Sequence, residues 1–304
     1  MDNVPASFIE SVLRASGFIA RLDALELYRA WGRIAKDYWP GGVVRVTYVP
    51  YGPKESRLHY QIDGWPHIET RTLSREVANE ISKTVTSILF TISKERFLPD
   101  GWNTVAPDNK EVLELLMRLD APDKRLDLSS ALRGWICQDM ARYSNLLRTF
   151  TSLTNVPNVR AITPFLEGMA STGRLQSISF SGFVPSGLST TFLVNYFFSA
   201  SCRRLSLTVK NFPIRDYINR WEMMDPQALP CDKVIDVTDG TEDLLFNIDT
   251  LEVGQDDPEL LEKISRKLIN NGSILSIHRI DHSVARNAKV YVVFFRHVCY
   301  IVFD

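Results

Sequence analysis

TPFLEGMASTGRLQSISF (163–180) changes period halfway along. Its first part has the apolar spacing of a helix, and its last part alternates as a strand does. The same change recurs from TTFLVNYFFSAS to RLSLTV (190–209) and from IRDYINRWEMM to DKVIDV (214–237). Leu175, Leu205 and Val234 fall at equivalent points, 30 and then 29 residues apart. A fourth pair, PELLEKISRKLINNG and SILSIHRI, covers 258–280. Helix then strand at this interval predicts parallel strands joined by helices, each unit burying its apolar face on the next.

The regular asparagine ladder of a leucine-rich repeat is missing. The expectation is therefore an irregular, leucine-rich-repeat-like α/β domain of repeated helix–strand units over 41–304. A plain α/β sandwich satisfies the same pattern. VYVVFFRHVCYIVFD (290–304) reads as one strand or a hairpin around Arg296 and His297.

Upstream, VVRVTYVPY (43–51) and RLHYQI (57–62) alternate as strands on either side of a Gly52-Pro53 turn. SREVANEISKTVTSILFTIS (74–93) starts as a helix capped by Ser74 and ends as a strand about Ile88 to Ile92. GWNTVAPDN (101–109) reads as loop, EVLELLMRL (111–119) as a short helix, and LSSALRGWICQDMARYSNLLRTF (128–150) as a helix weakened by Gly134. Residues 1–40 form a separate helical module. Pro5 suits a first helical turn, where a missing N–H costs nothing. Phe8, Ile9, Val12 and Leu13 then make one apolar stripe.

The composition narrows the function. The formal net charge of −1 gives no field that would gather nucleic acid or an acidic membrane. The longest apolar run, TFLVNYFFSA (191–200), contains Asn195 and falls well short of the roughly 18 residues of a membrane helix. MDNVPASFIESVLRA (1–15) lacks the basic start and long apolar run of a secretory signal. Cys137, Cys202, Cys231 and Cys299 form no Cys-x-x-Cys pair, which points to reduced thiols in the cytosol or nucleus. Asn271-Gly272-Ser273 then reads as an exposed turn.

No phosphate-cradling glycine loop, nucleophile elbow or HExxH motif is present, so no catalytic residue, cofactor or metal site is expected. His278 and His282 are four apart, but SIHRIDHS reads as a strand running into a loop, where that spacing does not align two ligands. An enzymatic site would have to join His278, Asp281, His282 and His297. The acidic stretch DVTDGTEDLLFNID (236–249) lacks calcium-loop spacing and reads as a solvated turn. The scattered tryptophans and the isolated Arg203-Arg204 pair suit packing and a strand edge better than a base-stacking surface.

VPASFIESVLRASGFIARLDALELYRAWGRIA (4–35) resembles an F-box. Val4-Pro5 stand where that motif has Leu-Pro. Ile9, Val12 and Leu13 match its first apolar helix, Leu22, Leu25 and Leu27 its second apolar set, and Trp31 its Trp. The motif is degenerate: valine replaces the opening leucine, and Leu27-Tyr28-Arg29-Ala30 replaces the usual residues before the Trp. RLSLTV, DYINRW and SIHRIDHSVARNAKVYVVF are similar to the F-box-associated regions of the divergent nematode F-box-like families. The resemblance implies a non-catalytic substrate receptor. Val4, Pro5, Phe8, Ile9, Val12, Leu13, Leu22, Leu25 and Trp31 would meet a Skp-type adaptor of a cullin–RING ubiquitin ligase, and the rest of the chain would hold a target protein. Two alternatives stay open. The helices can pack on the chain's own core, and the repeat can serve a scaffold with no ubiquitin link.

Overall fold

The computed structural model describes residues 4–15, 30–38, 42–50, 56–65, 67–68, 72–93, 98, 100–106, 109–129, 143–209, 212–225, 228–229, 233–238, 245, 248–253, 257–268, 273–285 and 287–304. The expected Gly52-Pro53 turn, the 130–142 part of the expected 128–150 helix, Leu22, Leu25, Leu27 and the 271–272 turn lie outside them. The chain divides into two compact units, Met1–Ser152 and Leu153–Asp304.

The first unit begins with two helices, α1 (Ala6–Ala15) and α2 (Ala30–Tyr38). Its sheet contains β1 (Gly42–Pro50), β2 (Ser56–Asp63), β3 (Val85–Ile92), β4 (Asn103–Val105) and β5 (Asp123–Asp127), in the order β5-β3-β1-β2-β4. β1 is parallel to β3, β3 is parallel to β5, and β2 runs antiparallel between β1 and β4. Gly42 is required at the start of β1, because a Cβ there would collide with the Trp65 ring.

Helix α3 (Arg75–Ile81) starts where the sequence places it. The Ser74 hydroxyl accepts from Val77 N, and Val77, Ala78 and Ile81 turn inward. Helix α4 (Lys110–Arg118) is capped in the same way by Asn109. The expected loop at 101–109 contains β4, a correction. Three residues are too few to show a period, and what makes them a strand is the outer edge of β2. There Val105 is buried and Thr104 Oγ1 lies 3.1 Å from His59 Nδ1. The described end of the expected 128–150 helix is one turn, α5 (Ser144–Leu147). It seats Tyr143 edge-on to Tyr48, and Phe150 beyond it lies edge-on to Phe90.

The second unit contains β6 (Ser152–Val156), a 3₁₀ turn (Arg160–Ile162), α6 (Thr163–Ala170), β7 (Ser177–Phe183), α7 (Thr190–Phe197), β8 (Arg204–Thr208), α8 (Ile214–Glu222) and β9 (Lys233–Thr238). β7, β8 and β9 are parallel neighbours joined through α7 and α8, as the 29–30 residue interval predicts. Then the arrangement departs from a repeat. β10 (Leu251–Val253), α9 (Pro258–Lys267), β11 (Ser276–Asp281), β12 (Lys289–Phe294) and β13 (Val298–Phe303) complete the order β6-β7-β8-β9-β13-β12-β11-β10. Every pairing from β9 outward is antiparallel. The fourth helix–strand unit, α9 and β11, therefore does not extend the stack. The final hairpin turns at Arg296 and His297 and puts β13, not β11, against β9. Each unit is mixed α/β, and the second is not a regular leucine-rich-repeat solenoid.

β13 is covered on both faces. Phe303 touches Phe197 and Trp221 on the side of α7 and α8, while Tyr300 and Val302 pack with Ile264 of α9 on the other. Beside it, Lys233 opens β9 fully buried. Its ammonium donates to the carbonyls of Phe197 (2.6 Å), Ser199 (2.8 Å) and Cys202 (2.5 Å) and sits 5.3 Å from the Phe197 ring centre. It thereby satisfies the orphan carbonyls after α7 and pins the turn into β8. Burial lowers the Lys233 pKa and Cys202 opposes the shift. Asp304 clamps α9 by taking Lys263 and, at 3.0 Å, Lys267.

Lys233→Met should destabilise the protein by about 3 kcal/mol, because three buried carbonyls lose their donor. A denaturant midpoint equal to wild type would contradict the capping role. The Asp304 carboxyl feels burial, which raises its pKa, but Lys263 and Lys267 outweigh it and the net direction is down. Its contribution is therefore present above the unperturbed value of 3.8 and is lost as pH falls through the lower folded value. Asp304→Asn should cost about 1 kcal/mol at neutral pH, a gap that closes in strong acid. Denaturation curves across that range measure it.

Candidate functional site

Two surfaces carry the chemistry that could meet a partner, one in each unit. In the first unit, α1 and α2 pack through Ile9, Leu13, Ile34 and Ala35, with Val4 and Trp31 at the margin. The expected stripe is split by this packing. Ile9 is 0% and Leu13 2% exposed, whereas Phe8 is 55% exposed. Pro5 is exposed, Val12 is half-buried, and Pro5 O accepts from the N–H groups of Phe8 and Ile9 to start the helix. Of the expected adaptor-facing residues, then, Pro5 and Phe8 face outward. Val4, Val12 and Trp31 are partly covered, and Ile9 and Leu13 are taken up within the pair. Leu22 and Leu25 lie outside the described residues.

In the second unit, one sheet face changes character along its width. Register puts Val234 beside Val302, Asp236 beside Tyr300 and Thr238 beside Val298. Val234, Tyr300 and Val302 lie in the core that Ile264 of α9 joins, and Val298 packs against it. Across β8 and β7 the same rows become Arg204 and Ser177, Ser206 and Ser179, Thr208 and Phe183. These side chains are half-buried except Phe183, which is 43% exposed beyond a bulge in the β7–β8 pairing. The result is a hydroxyl-rich face with an aromatic ring at one end.

Its centre is tied together by side-chain bonds. Arg204 binds Asp236 through two bonds, Nε to Oδ2 at 2.8 Å and an Nη to Oδ1 at 2.9 Å. Ser206 Oγ also donates to Oδ2 at 2.8 Å, and the guanidinium lies 5.8 Å from the Tyr300 ring centre. Thr208 and Thr238 hydroxyls meet at 2.9 Å. The only charges in these rows neutralise each other, so the face offers hydroxyls and a flat ring rather than a field. Sequence reading took Arg204 for a strand-edge charge. The signal for this face was the polar alternate positions of RLQSISF and RLSLTV, but not the end of α9 cover before them.

The histidines and acids named in the sequence are dispersed. His278 on β11 stands edge-on to Phe294, with Nε2 3.2 Å from Ser276 Oγ. His282 lies against Trp221, Asp281 pairs with Arg279, and His297 is exposed. Asp236 belongs to the Arg204 pair, and 239–244 lie outside the described residues. No cluster of three metal-ligating side chains occurs among the described residues. Burial pushes the Cys202 thiol up to about 11 against the pull of Lys233, and it also raises Cys299, so both remain thiols at neutral pH. Cys137 and Cys231 lie outside the described residues.

Ile9→Asp or Leu13→Asp should cost about 3 kcal/mol or more, since each buries a carboxylate in the helix pair, while Phe8→Asp should stay within about 0.5 kcal/mol of wild type. In a double-mutant cycle, Arg204→Ala and Asp236→Ala should couple by about 1–2 kcal/mol. Denaturant unfolding checks both, and a coupling near zero would mean that the pair does not hold the face. Comparison with family models, curated proteins and solved structures found no match to this chain.

Proposed function

We propose that this chain is a non-catalytic protein-interaction protein of the cytosol or nucleus, an F-box-like receptor whose helical pair docks on a Skp-type adaptor of a cullin–RING ubiquitin ligase. The observation that carries the reading is the outward Phe8 beside an exposed Pro5, on a helix whose Ile9 and Leu13 are used internally. A phenylalanine more than half exposed at a helix start is a natural anchor for an apolar pocket on a partner. The receptor does no chemistry itself. It raises the local concentration of a target near the transferring enzyme. No helix among the described residues is long and apolar enough to cross a membrane.

A second reading, a scaffold with no ubiquitin link, draws support from the open face of the second unit. Ser177, Ser179, Ser206 and Thr208 can bond to a peptide's polar groups, and Phe183 can stack on its apolar ones.

Purified full-length chain should retain a Skp-type adaptor in a pull-down, and Phe8→Asp should weaken that binding at least tenfold while leaving the unfolding midpoint unchanged. Failure of the wild type to bind, or equal binding by the variant, removes the adaptor reading. If proteins cross-linked to the wild type are lost with Phe183→Asp but kept with Phe8→Asp, the scaffold reading takes its place.

A further inference from the structure

His282 follows β11, and its N–H donates to Ala288 O at 3.2 Å across the turn that leads to β12. The ring is buried. Its Nδ1 accepts two bonds, from Val284 N at 3.1 Å and Ala285 N at 3.0 Å. An imidazole nitrogen accepts only through its lone pair, so these bonds require Nδ1 to be unprotonated and place the ring proton on Nε2. Nε2 is shut off from solvent and has no hydrogen-bond partner. The ring stands nearly perpendicular to the Trp221 indole, centres 4.7 Å apart, and Trp221 is fully buried. At the outer end of the turn, Val284 is 84% exposed.

We propose that His282 is a proton-operated latch, which holds the 283–285 turn against Trp221 when neutral and releases it when Nδ1 takes up a proton from solvent. The protonated nitrogen becomes a donor facing two donors, so both amide bonds are lost together. Among the described residues, the nearby charges are engaged or face elsewhere. Asp281 is bonded to Arg279, and Asp304 to Lys263 and Lys267. On α8, Asp216 and Arg220 line a separate groove with Met223, and Glu222 is exposed. On β12, Lys289 is half-buried, and its backbone pairs with that of Asp304. Among the described residues no carboxylate is bonded to the ring, so nothing in place would hold an imidazolium closed. Release uncovers the Trp221 edge beneath the ring, a change in surface that acid would impose on the second unit without altering its sheet.

Amide hydrogen exchange by NMR on the full chain, at about pH 7.5 and about pH 5, tests the latch. After correction for intrinsic exchange rates, protection of Val284 and Ala285 should fall about tenfold or more at the lower pH, as expected for two lost bonds. Val292 and Ile301 should keep theirs. The midpoint of the loss should coincide with the titration of the His282 ring signals. Unchanged protection overturns the proposal, as does equal loss at Val292 and Ile301, or a midpoint apart from the ring's. His282→Asn keeps an acceptor near the Nδ1 position that takes up no proton. Its turn should hold the same protection at both pH values, and an acid loss equal to wild type would also overturn the latch.

Discussion

A strand with a helix layer on each side has no face left for polar side chains. β13 is that strand, and the second unit is organised around it. Cys299, Ile301 and Phe303 serve the layer of α7 and α8, while Val298, Tyr300 and Val302 serve the layer of α9. β9, its parallel-sheet neighbour, is apolar at Val234, Ile235 and Val237. The one charge β9 brings into the core, Lys233, is tolerated because three carbonyls and an aromatic ring surround its ammonium. The α9 core reaches Val234 of β9, and beyond it the same face turns to serine, threonine and a closed Arg204–Asp236 pair. The boundary between core and open surface is thus set by the reach of one ten-residue helix.

The helix–strand alternation over 163–237 was legible because each period persists long enough to be counted, and its burial agrees with it. VVRVTYV and the 74–93 segment were legible for the same reason, helped by the Ser74 cap. The shorter strands were not. DKRLD at β5 is strand only because β3 supplies a parallel edge, and Asn103–Val105 only because β2 does. Their identity lies in a partner far along the chain. VYVVFFRHVCYIVFD was legible as one strand or a hairpin around Arg296 and His297, yet nothing local says that its second half inserts beside β9 and so ends the parallel repeat.

The candidate surfaces show the same limit. The period of ASFIESVL identifies an apolar stripe but does not apportion it. Only the position of Ile34 and Ala35 decides that Ile9 and Leu13 turn inward and Phe8 outward. His278 and His282 are four apart in a stretch read as a strand running into a loop, where that spacing aligns no pair. Strand geometry sends one to Phe294 and the other to Trp221, and what made His282 distinctive, two amides on one nitrogen, depends on a turn rather than on a motif.

The place of β13 also bears on how the chain is made. β9 leaves the ribosome some 60 residues before its antiparallel partner. During that interval its edge and the apolar sides of Phe197 and Trp221 are without the strand that covers them, which is the kind of surface that chaperones bind and that aggregates. Any transcript cut short before Val298 would fix the second unit in that state. Without β13 the second unit would keep the edge of β9, Phe197 and Trp221 uncovered, a defect of its core rather than of its margin.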